Sequence, residues 1–88
     1  QAKANPAPKV ATMVTYIVVY KKDIFTKGKT KQGETLRAIA KRHCKELGAS
    51  SPDMLEIING FVAKFPAGNV PRLKALPEVK YIEIDQAF

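Results

Sequence analysis

The spacing of apolar residues divides the chain into six short elements. The run TYIVVYK at 15–21 is β-branched and aromatic and apolar on both sides, which predicts a central strand with helices over one face. Residues 23–34 are polar and rich in glycine, so we expect a loop that is long for a compact domain. A helix is predicted from about Thr35 to the stop signal Gly48, because a stripe of residues at helical spacing lies between them. The stripe consists of Leu36, Ile39, Ala40, His43 and Leu47.

The stretch EIINGFVAKF then places Asn-Gly between two apolar runs. Asn-Gly is a strong hairpin signal because both residues tolerate a positive φ, and it predicts strands at 54–58 and 60–65. On the second of these strands, alternation places Phe61, Ala63 and Phe65 on one face. We expect this larger apolar set to point at the helices and to fill the core.

The remainder of the chain predicts a second helix and a last strand. Gly68 or Asn69 can cap a short helix, and Pro71 suits its first turn. Pro77 ends this helix, and the run VKYIEID at 79–85 predicts the strand. The inward-facing residues of the helix are Leu73 and Leu76.

The predicted order of strand, helix, strand, strand, helix, strand is that of a ferredoxin-like βαββαβ domain. Such a domain is α+β, with a four-stranded antiparallel sheet that carries two helices on one face and leaves the other face open. We expect residues 1–14 to form a flexible N-terminal tail, residues 15–85 the folded domain and residues 86–88 a C-terminal tail. The fold alone does not say what binds the open face.

The composition adds a basic surface to this picture. Among the 88 residues, fifteen Lys and Arg outnumber eight Asp and Glu, for a formal net charge of +7. Such a charge attracts nucleic acid, acidic membranes or acidic proteins. The lysines are scattered along the chain, however, which favours an ordinary solvated surface. No apolar run approaches the ~20 residues that span a bilayer, so we expect no membrane partner.

His43 and Cys44 are the only histidine and cysteine of the chain. They cannot form a structural zinc site, which takes about four such ligands. Neighbouring residues on a helix diverge by about 100°, so the two side chains do not face each other as base and nucleophile. We therefore expect no metal, no cofactor and no enzymatic activity, with Cys44 as a small, partly buried apolar residue.

The motif NGFVAKF raises one alternative function. RNA-recognition domains share the predicted element order and stack bases on aromatic residues of their first and third strands. That family has Lys or Arg before the glycine and aromatics at the third and fifth motif positions, where this chain has Asn59, Phe61 and Ala63. The aromatic residue at the fifth position is missing. Alternation turns the aromatic residue at the third position, Phe61, towards the core, where it cannot stack on a base. Single-stranded RNA binding through Tyr16 and Phe61 is kept as the alternative, and nucleic acid is not the expected partner.

Three sequence blocks together resemble the propeptides of subtilisin-like serine proteases and the free-standing inhibitors similar to them. The blocks are YIVVYK at 16–21, INGFVAKF at 58–65 and LKALPEVKYIEID at 73–85. Each is weak by itself, but their order and spacing are specific. The resemblance implies a domain whose open sheet face packs on two surface helices of the protease, assisting its folding and then inhibiting it. It also implies that the C-terminal tail lies in the substrate cleft like a product.

The last strand carries the residues that this resemblance singles out. Alternation places Tyr81, Glu83 and Asp85 on the open face, and Ile82 and Ile84 in the core. Carboxylates on the open face suit the N-termini of partner helices, where free N–H groups and the macrodipole favour negative charge by about 0.3–1 kcal/mol each. Family members use acidic residues for this purpose, and Glu83 and Asp85 match those positions.

The first strand adds an apolar patch to the predicted protease-binding surface. Tyr16, Val18 and Tyr20 alternate away from Ile17 and Val19, and we expect the first set to lie on the open face. The alternative for these three residues is burial beneath the helices.

The tail completes the surface that the resemblance implies. Gln86, Ala87 and Phe88 would enter the protease cleft as an extended strand, with Phe88 in the main specificity pocket. The family usually has a few more residues between the acidic pair and the cleavage point. Three residues span at most ~10 Å, so Phe88 stops short of the catalytic serine if Asp85 caps a protease helix.

His43 has a second interpretation, as a pH sensor. A buried neutral histidine that gains a proton in an acidic compartment loosens its domain, and some relatives are thought to use a histidine in this way. A packing histidine is the simpler interpretation. We expect a secreted, secretory or vacuolar protein that is monomeric when free, although no signal peptide is visible. The residues do not separate a cleaved propeptide, acting as an intramolecular chaperone, from an autonomous inhibitor.

Overall fold

The structure is a computed structural model that describes residues 12–85. The N-terminal residues 1–11 and the predicted tail residues Gln86, Ala87 and Phe88 lie outside this range. The elements follow the predicted order: β1 Met13–Tyr20, α1 Leu36–Glu46, β2 Asp53–Leu55, β3 Gly60–Pro66, α2 Val70–Lys74 and β4 Val79–Ile84. The predicted α+β architecture, with a four-stranded antiparallel sheet and two helices, is confirmed.

The strands lie in the order β2-β3-β1-β4, and every neighbouring pair is antiparallel. In this register Val18 lies opposite Phe61 on one side and Ile82 on the other, whereas Ile17 lies opposite Val62 and Glu83. Directly opposed residues of antiparallel strands point to the same side of the sheet. The sheet therefore has a core face, which contains Val18 and Phe61, and an open face, which contains Ile17 and Val62.

Both helices contribute to one core. Ile39, Ala40, Cys44 and Leu47 of the α1 segment and Leu73 of α2 belong to the same cluster of buried residues. The strands supply the largest members of the cluster, Tyr20, Phe61 and Phe65. The prediction that Phe61, Ala63 and Phe65 fill the core is confirmed.

Helix α1 begins and ends where the sequence predicts. The Thr35 side chain accepts a hydrogen bond of 3.2 Å from the backbone N–H of Ala38, which satisfies one of the free donors of the first turn. Gly48 has a φ of +70°, the left-handed conformation in which a helix commonly stops. The residue that precedes it, Leu47, is buried in the core.

The hairpin is not the two-residue turn that Asn-Gly predicts. Strand β2 ends at Leu55, and a short 3₁₀ turn, Glu56–Ile58, occupies the end of the predicted strand. Asn59 is left-handed, with a φ of 62°, and its N–H donates to the carbonyl of Glu56 at 3.1 Å. Gly60 is not left-handed. A Cβ on Gly60 would collide with the carbonyl oxygen of Val18, so glycine is required by the close approach of β1.

Asn69 also has a role other than the predicted cap. Its side chain makes no hydrogen bond to the first turn of α2. Instead its Nδ2 donates to the carbonyl of Leu47 at 2.8 Å, and therefore ties the start of α2 to the end of α1. Leu73 is buried as predicted, and Leu76 is partly buried against the core.

The segment 23–34 contains more local structure than a long loop. Thr26 and Lys29 exchange two backbone hydrogen bonds of 2.7 and 3.1 Å across a two-residue turn. Lys27 and Gly28, the two turn residues, have φ values of 54° and 81°, the pairing typical of a tight hairpin turn. This small hairpin shortens the irregular part of the segment.

Candidate functional site

Opposed residues on the open face form rows that cross the sheet. One row runs from Glu83 on β4 through Ile17 and Val62 to Asp53 on β2. Its centre is aliphatic and each edge carries an exposed carboxylate. Strands lie about 4.8 Å apart, so the two carboxylate-bearing strands are separated by roughly 14 Å.

The next row runs from Tyr81 through Val19 and Gly60 to Leu55. Val19 is buried, Leu55 is half-buried, and Tyr81 keeps 44% of its surface exposed. The open face thus carries a continuous aliphatic stripe, which consists of Ile17, Val19, Leu55 and Val62, with an exposed aromatic residue beside it. We call these residues and Tyr81 the open-face stripe.

The acidic residues of the open face have no basic partner in the described part of the chain. The ion pairs within 4.0 Å among residues 12–85 are those of Arg42 with Glu34 and Glu46, on and before α1. Glu83 is exposed and Asp85 is half-buried at the end of β4. The N–H of Asp85 donates to the carbonyl of Thr15 at 2.9 Å, which fixes the backbone at this point, and its carboxylate makes no ion pair within 4.0 Å among residues 12–85.

The predicted placement of Tyr16, Val18 and Tyr20 on the open face is wrong. Val18 and Tyr20 are 0% exposed and lie in the core cluster, and the partly buried ring of Tyr16 meets the ring of Phe65 edge-on. Both alternating sets of β1 are apolar, so polarity alone does not say which set faces the helices. Tyr20 can be buried because its hydroxyl finds a polar partner in the core.

That partner is His43. The Tyr20 hydroxyl lies 2.7 Å from Nδ1 of His43, and both side chains are buried. Burial, and secondarily the charge of Arg42, lower the pKa of His43, so the neutral ring shares one hydrogen bond with the Tyr20 hydroxyl through Nδ1. Burial likewise raises the pKa of the Tyr20 hydroxyl far above its ordinary value. His43 is therefore a satisfied core residue at neutral pH.

Cys44 packs in the same core. It is fully rather than partly buried, and burial raises the pKa of its thiol to about 11. The side chain is therefore a protonated thiol at neutral pH and acts as a small apolar residue.

Strand β4 follows the predicted alternation with one exception. Tyr81 and Glu83 share the open face with Ile17 and Val19 of β1, as the sequence predicts. Ile82 packs against the core from the other face. Ile84, which was expected in the core, is 53% exposed, because β4 is an edge strand and its last residues extend beyond the cover of the helices.

The residues on which RNA binding depends are not available as a stacking platform. Phe61 is completely buried and Tyr16 lies on the core face. Tyr81 is the one aromatic residue of the described chain on the open face. Base stacking without sequence preference usually relies on several such rings.

Sequence reasoning missed five residues of this surface. They are Ile17, Val19, Val62, Leu55 and Asp53. The signal for the first three was present, because Val62 lies on the open face once Phe61 points to the core, and Ile17, which is opposite Val62, shares that face with Val19 by alternation. The register that identifies them depends on pairing between distant strands, however. Asp53 was missed because β2 was predicted to begin after it.

Comparison of the chain with protein-family models, with curated proteins and with solved structures found no match. None of the helices between residues 12 and 85 is long and apolar enough to cross a bilayer. Within the same range, no group of three or more His, Cys, Asp or Glu side chains is placed to hold a metal ion.

Proposed function

We propose that this chain is a ferredoxin-like domain that binds and inhibits a subtilisin-like serine protease. It acts as a cleaved propeptide and intramolecular chaperone or as a stand-alone inhibitor, and the protease does the chemistry. The strand order β2-β3-β1-β4 and the single core shared by both helices support the fold assignment. The three sequence blocks that resemble the propeptide family support the choice of partner.

The observation that carries the proposal is the open-face stripe. An antiparallel sheet with one solvated face usually has polar residues on that face. Here Ile17, Val19 and Val62 occupy the middle of the open face, with Tyr81 exposed beside them. A contiguous apolar surface with a polar rim is typical of a site that another protein covers.

The acidic end of β4 suits a partner surface made of helices. Glu83 and Asp85 are two residues apart, so their Cα atoms are separated by about 6.8 Å along the strand. Two packed helices lie about 8–10 Å apart, and side-chain reach covers the difference. Each carboxylate can therefore accept hydrogen bonds from the N-terminal turn of a different helix. Neither carboxylate makes an ion pair within 4.0 Å among residues 12–85.

The remaining parts of the proposal come from the resemblance. The tail Gln86, Ala87 and Phe88 occupies the substrate cleft, and the domain works in a secretory or vacuolar compartment or outside the cell. The domain is monomeric when free and needs no cofactor. Its net charge of +7 favours an acidic protease through the faster encounter of opposite charges.

Inhibition of purified subtilisins by the chain tests this proposal. We expect the wild-type chain to inhibit, and a Glu83→Ala, Asp85→Ala double variant to raise the inhibition constant by about ten- to a hundredfold, because charged hydrogen bonds across the interface are lost. The matched control is Asp23→Ala, which removes an exposed carboxylate away from the open face. Deletion of residues 86–88 should weaken inhibition while leaving complex formation detectable. Absence of both inhibition and complex formation with every protease would overturn the proposal.

A further inference from the structure

The turn between β2 and β3 exposes an aliphatic side chain completely. Ile57 is 100% exposed and its neighbour Ile58 is 42% exposed. Turn positions are usually occupied by Gly, Pro, Asn, Asp or Ser, which favour the turn conformation or bond to its backbone. Ile57 gains nothing from folding of the chain, since no part of its side chain leaves water. Only contact with another molecule can remove this side chain from water.

The backbone that presents Ile57 is held firmly. Asn59 closes the turn through its N–H bond to Glu56, and its side chain donates to the carbonyl of Tyr20 at 3.3 Å. The N–H of Tyr20 donates in turn to the carbonyl of Asn59 at 3.0 Å. These contacts attach the turn to the buried end of β1. The backbone of such a turn is already positioned, so less ordering entropy opposes the binding of Ile57 than on a loose loop.

The surroundings of Ile57 are apolar and acidic. A depression of about 560 Å³ adjoins the turn, and its lining is Met54, Leu55, Glu56, Ile57 and Ile58. Leu55 belongs to the open-face stripe, so the apolar surface continues from the open face around the β2 edge. Asp53 and Glu56 are exposed on the same strand and turn.

We propose that the turn Glu56–Ile58 is a second contact point with the protease, in which Ile57 enters an apolar recess on the protease surface. The recess is bordered by Lys or Arg side chains that pair with Glu56 and Asp53, since Glu56 begins the turn, Asp53 lies on the strand before it, and neither makes an ion pair within 4.0 Å among residues 12–85. This inference rests on the proposed function. It adds a site at the β2 edge, opposite the edge that carries Glu83.

The position of the turn makes the contact remote from the catalytic serine. The turn precedes Gly60, which lies beside Val19, whereas the end of β4 lies beside Thr15. The four residue steps from Thr15 to Val19 span about 13 Å along β1. The turn and the end of β4, from which the tail continues, therefore lie at opposite ends of the sheet, and blocking the active site should not affect the turn.

Ile57→Ser tests the inference in the full chain, with Ile84→Ser as the matched control. Ile84 is also an exposed isoleucine, but it lies on the core-face side of β4. We expect Ile57→Ser to weaken binding about ten- to a hundredfold, equally for free protease and for protease whose serine has been blocked, with an unchanged melting temperature. Ile84→Ser should bind within about threefold of wild type. A double variant, Asp53→Lys with Glu56→Lys, should also weaken binding relative to wild type.

The outcomes separate the two proposals. If the wild-type chain binds a subtilisin and Ile57→Ser binds it equally well, the turn contact is overturned and the proposed function stands. If Ile57→Ser loses affinity only for protease with a free active site, the remote position is overturned. If the wild-type chain binds no subtilisin, both proposals fail together.

Discussion

The hydrogen bond between Tyr20 and His43 explains how two polar side chains occupy a small core. Each group satisfies the other, and the two rings lie tilted at 41° with their centroids 5.6 Å apart. Alternation along β1 could not reveal this pairing, because the partner lies on a different element. A buried tyrosine without a partner is costly, and alternation along β1 placed Tyr20 on the predicted open face.

Removal of both partners should therefore cost less stability than the sum of the two single removals. Tyr20→Phe leaves Nδ1 of His43 buried without a hydrogen-bond partner, and we expect the free energy of unfolding to fall by about 1–3 kcal/mol. The Tyr20→Phe, His43→Leu double variant should lose less than the sum of the two single variants. Urea denaturation measures all four chains. Simple additivity would show that the bond contributes nothing.

His43 also predicts a pH dependence of stability. Its pKa is lowered in the folded state by burial and by Arg42, while Glu78, Glu46 and Glu34 act in the opposite direction. The unfolded chain has an ordinary histidine pKa of about 6.5 and so binds the proton more readily than the folded domain. The stability that the neutral His43 contributes should thus be fully present above a pH of about 6.5. It should be lost as the pH falls towards the pKa of His43 in the folded state.

Thermal unfolding of wild type and His43→Gln between about pH 7.5 and 4.5 checks this dependence. The wild-type chain should lose stability more steeply through the window in which His43 titrates. Equal slopes for the two chains would contradict a sensor role for His43.

At the scale of elements, the hairpin shows how one residue can be required for an unexpected reason. Asn-Gly correctly marks a connection between two strands, but only Asn59 has a positive φ. Gly60 is required because the backbone of β1 passes against the position of its missing Cβ. The Asn-Gly signal is known from turn chemistry, but here its glycine is needed because two strands pack closely at Gly60.

Substitution of glycine by alanine distinguishes these two requirements. Gly60→Ala should reduce the free energy of unfolding by about 2–4 kcal/mol, because β1 and β3 must move apart. Gly68→Ala is the control, since a Cβ there meets nothing within 4 Å. It should change stability by less than about 1 kcal/mol. Chemical denaturation gives both values, and a mild effect at Gly60 would show that the strands yield easily.

The elements themselves were largely accessible from the sequence. Helical spacing and end signals determine α1, and alternation determines the core face of β3, because both depend on neighbours along the chain. The orientation of β1 and the end of β2 depend on pairing with distant strands. Asn59 at the turn and Asn69 between the helices likewise bond to residues far away in sequence. Alternation was enough to find the open-face residues of β4, Tyr81 and Glu83. The open-face residues of β1, Ile17 and Val19, could be identified only from the register in which β1 pairs with its neighbours.

At the scale of the whole molecule, the two faces of the sheet should respond differently to the same change. Lysine at position 17 would project from the open face opposite Glu83, whereas lysine at position 18 would enter the core. We expect Ile17→Lys to change the free energy of unfolding by less than about 1 kcal/mol and to abolish binding of a protein partner.

Val18→Lys should unfold the domain at room temperature, because an unpaired charge would be buried. Circular dichroism and denaturant titration distinguish the two variants. If Ile17→Lys is as damaging as Val18→Lys, the open face is not a solvent-facing surface.

The central position of β1 has a consequence for the order of folding. Its hydrogen-bonded neighbours, β3 and β4, both follow it in the chain, and β4 is the last strand of the described part. The entropy of closing these long loops must be overcome before the pairings stabilise the chain, which slows the search for the native topology. Until β4 arrives, β1 keeps one unpaired edge. A surface that already binds the stripe and the acidic end of β4 would hold this late strand in place and shorten the search, so the same contacts that join the two proteins can speed the folding of this one.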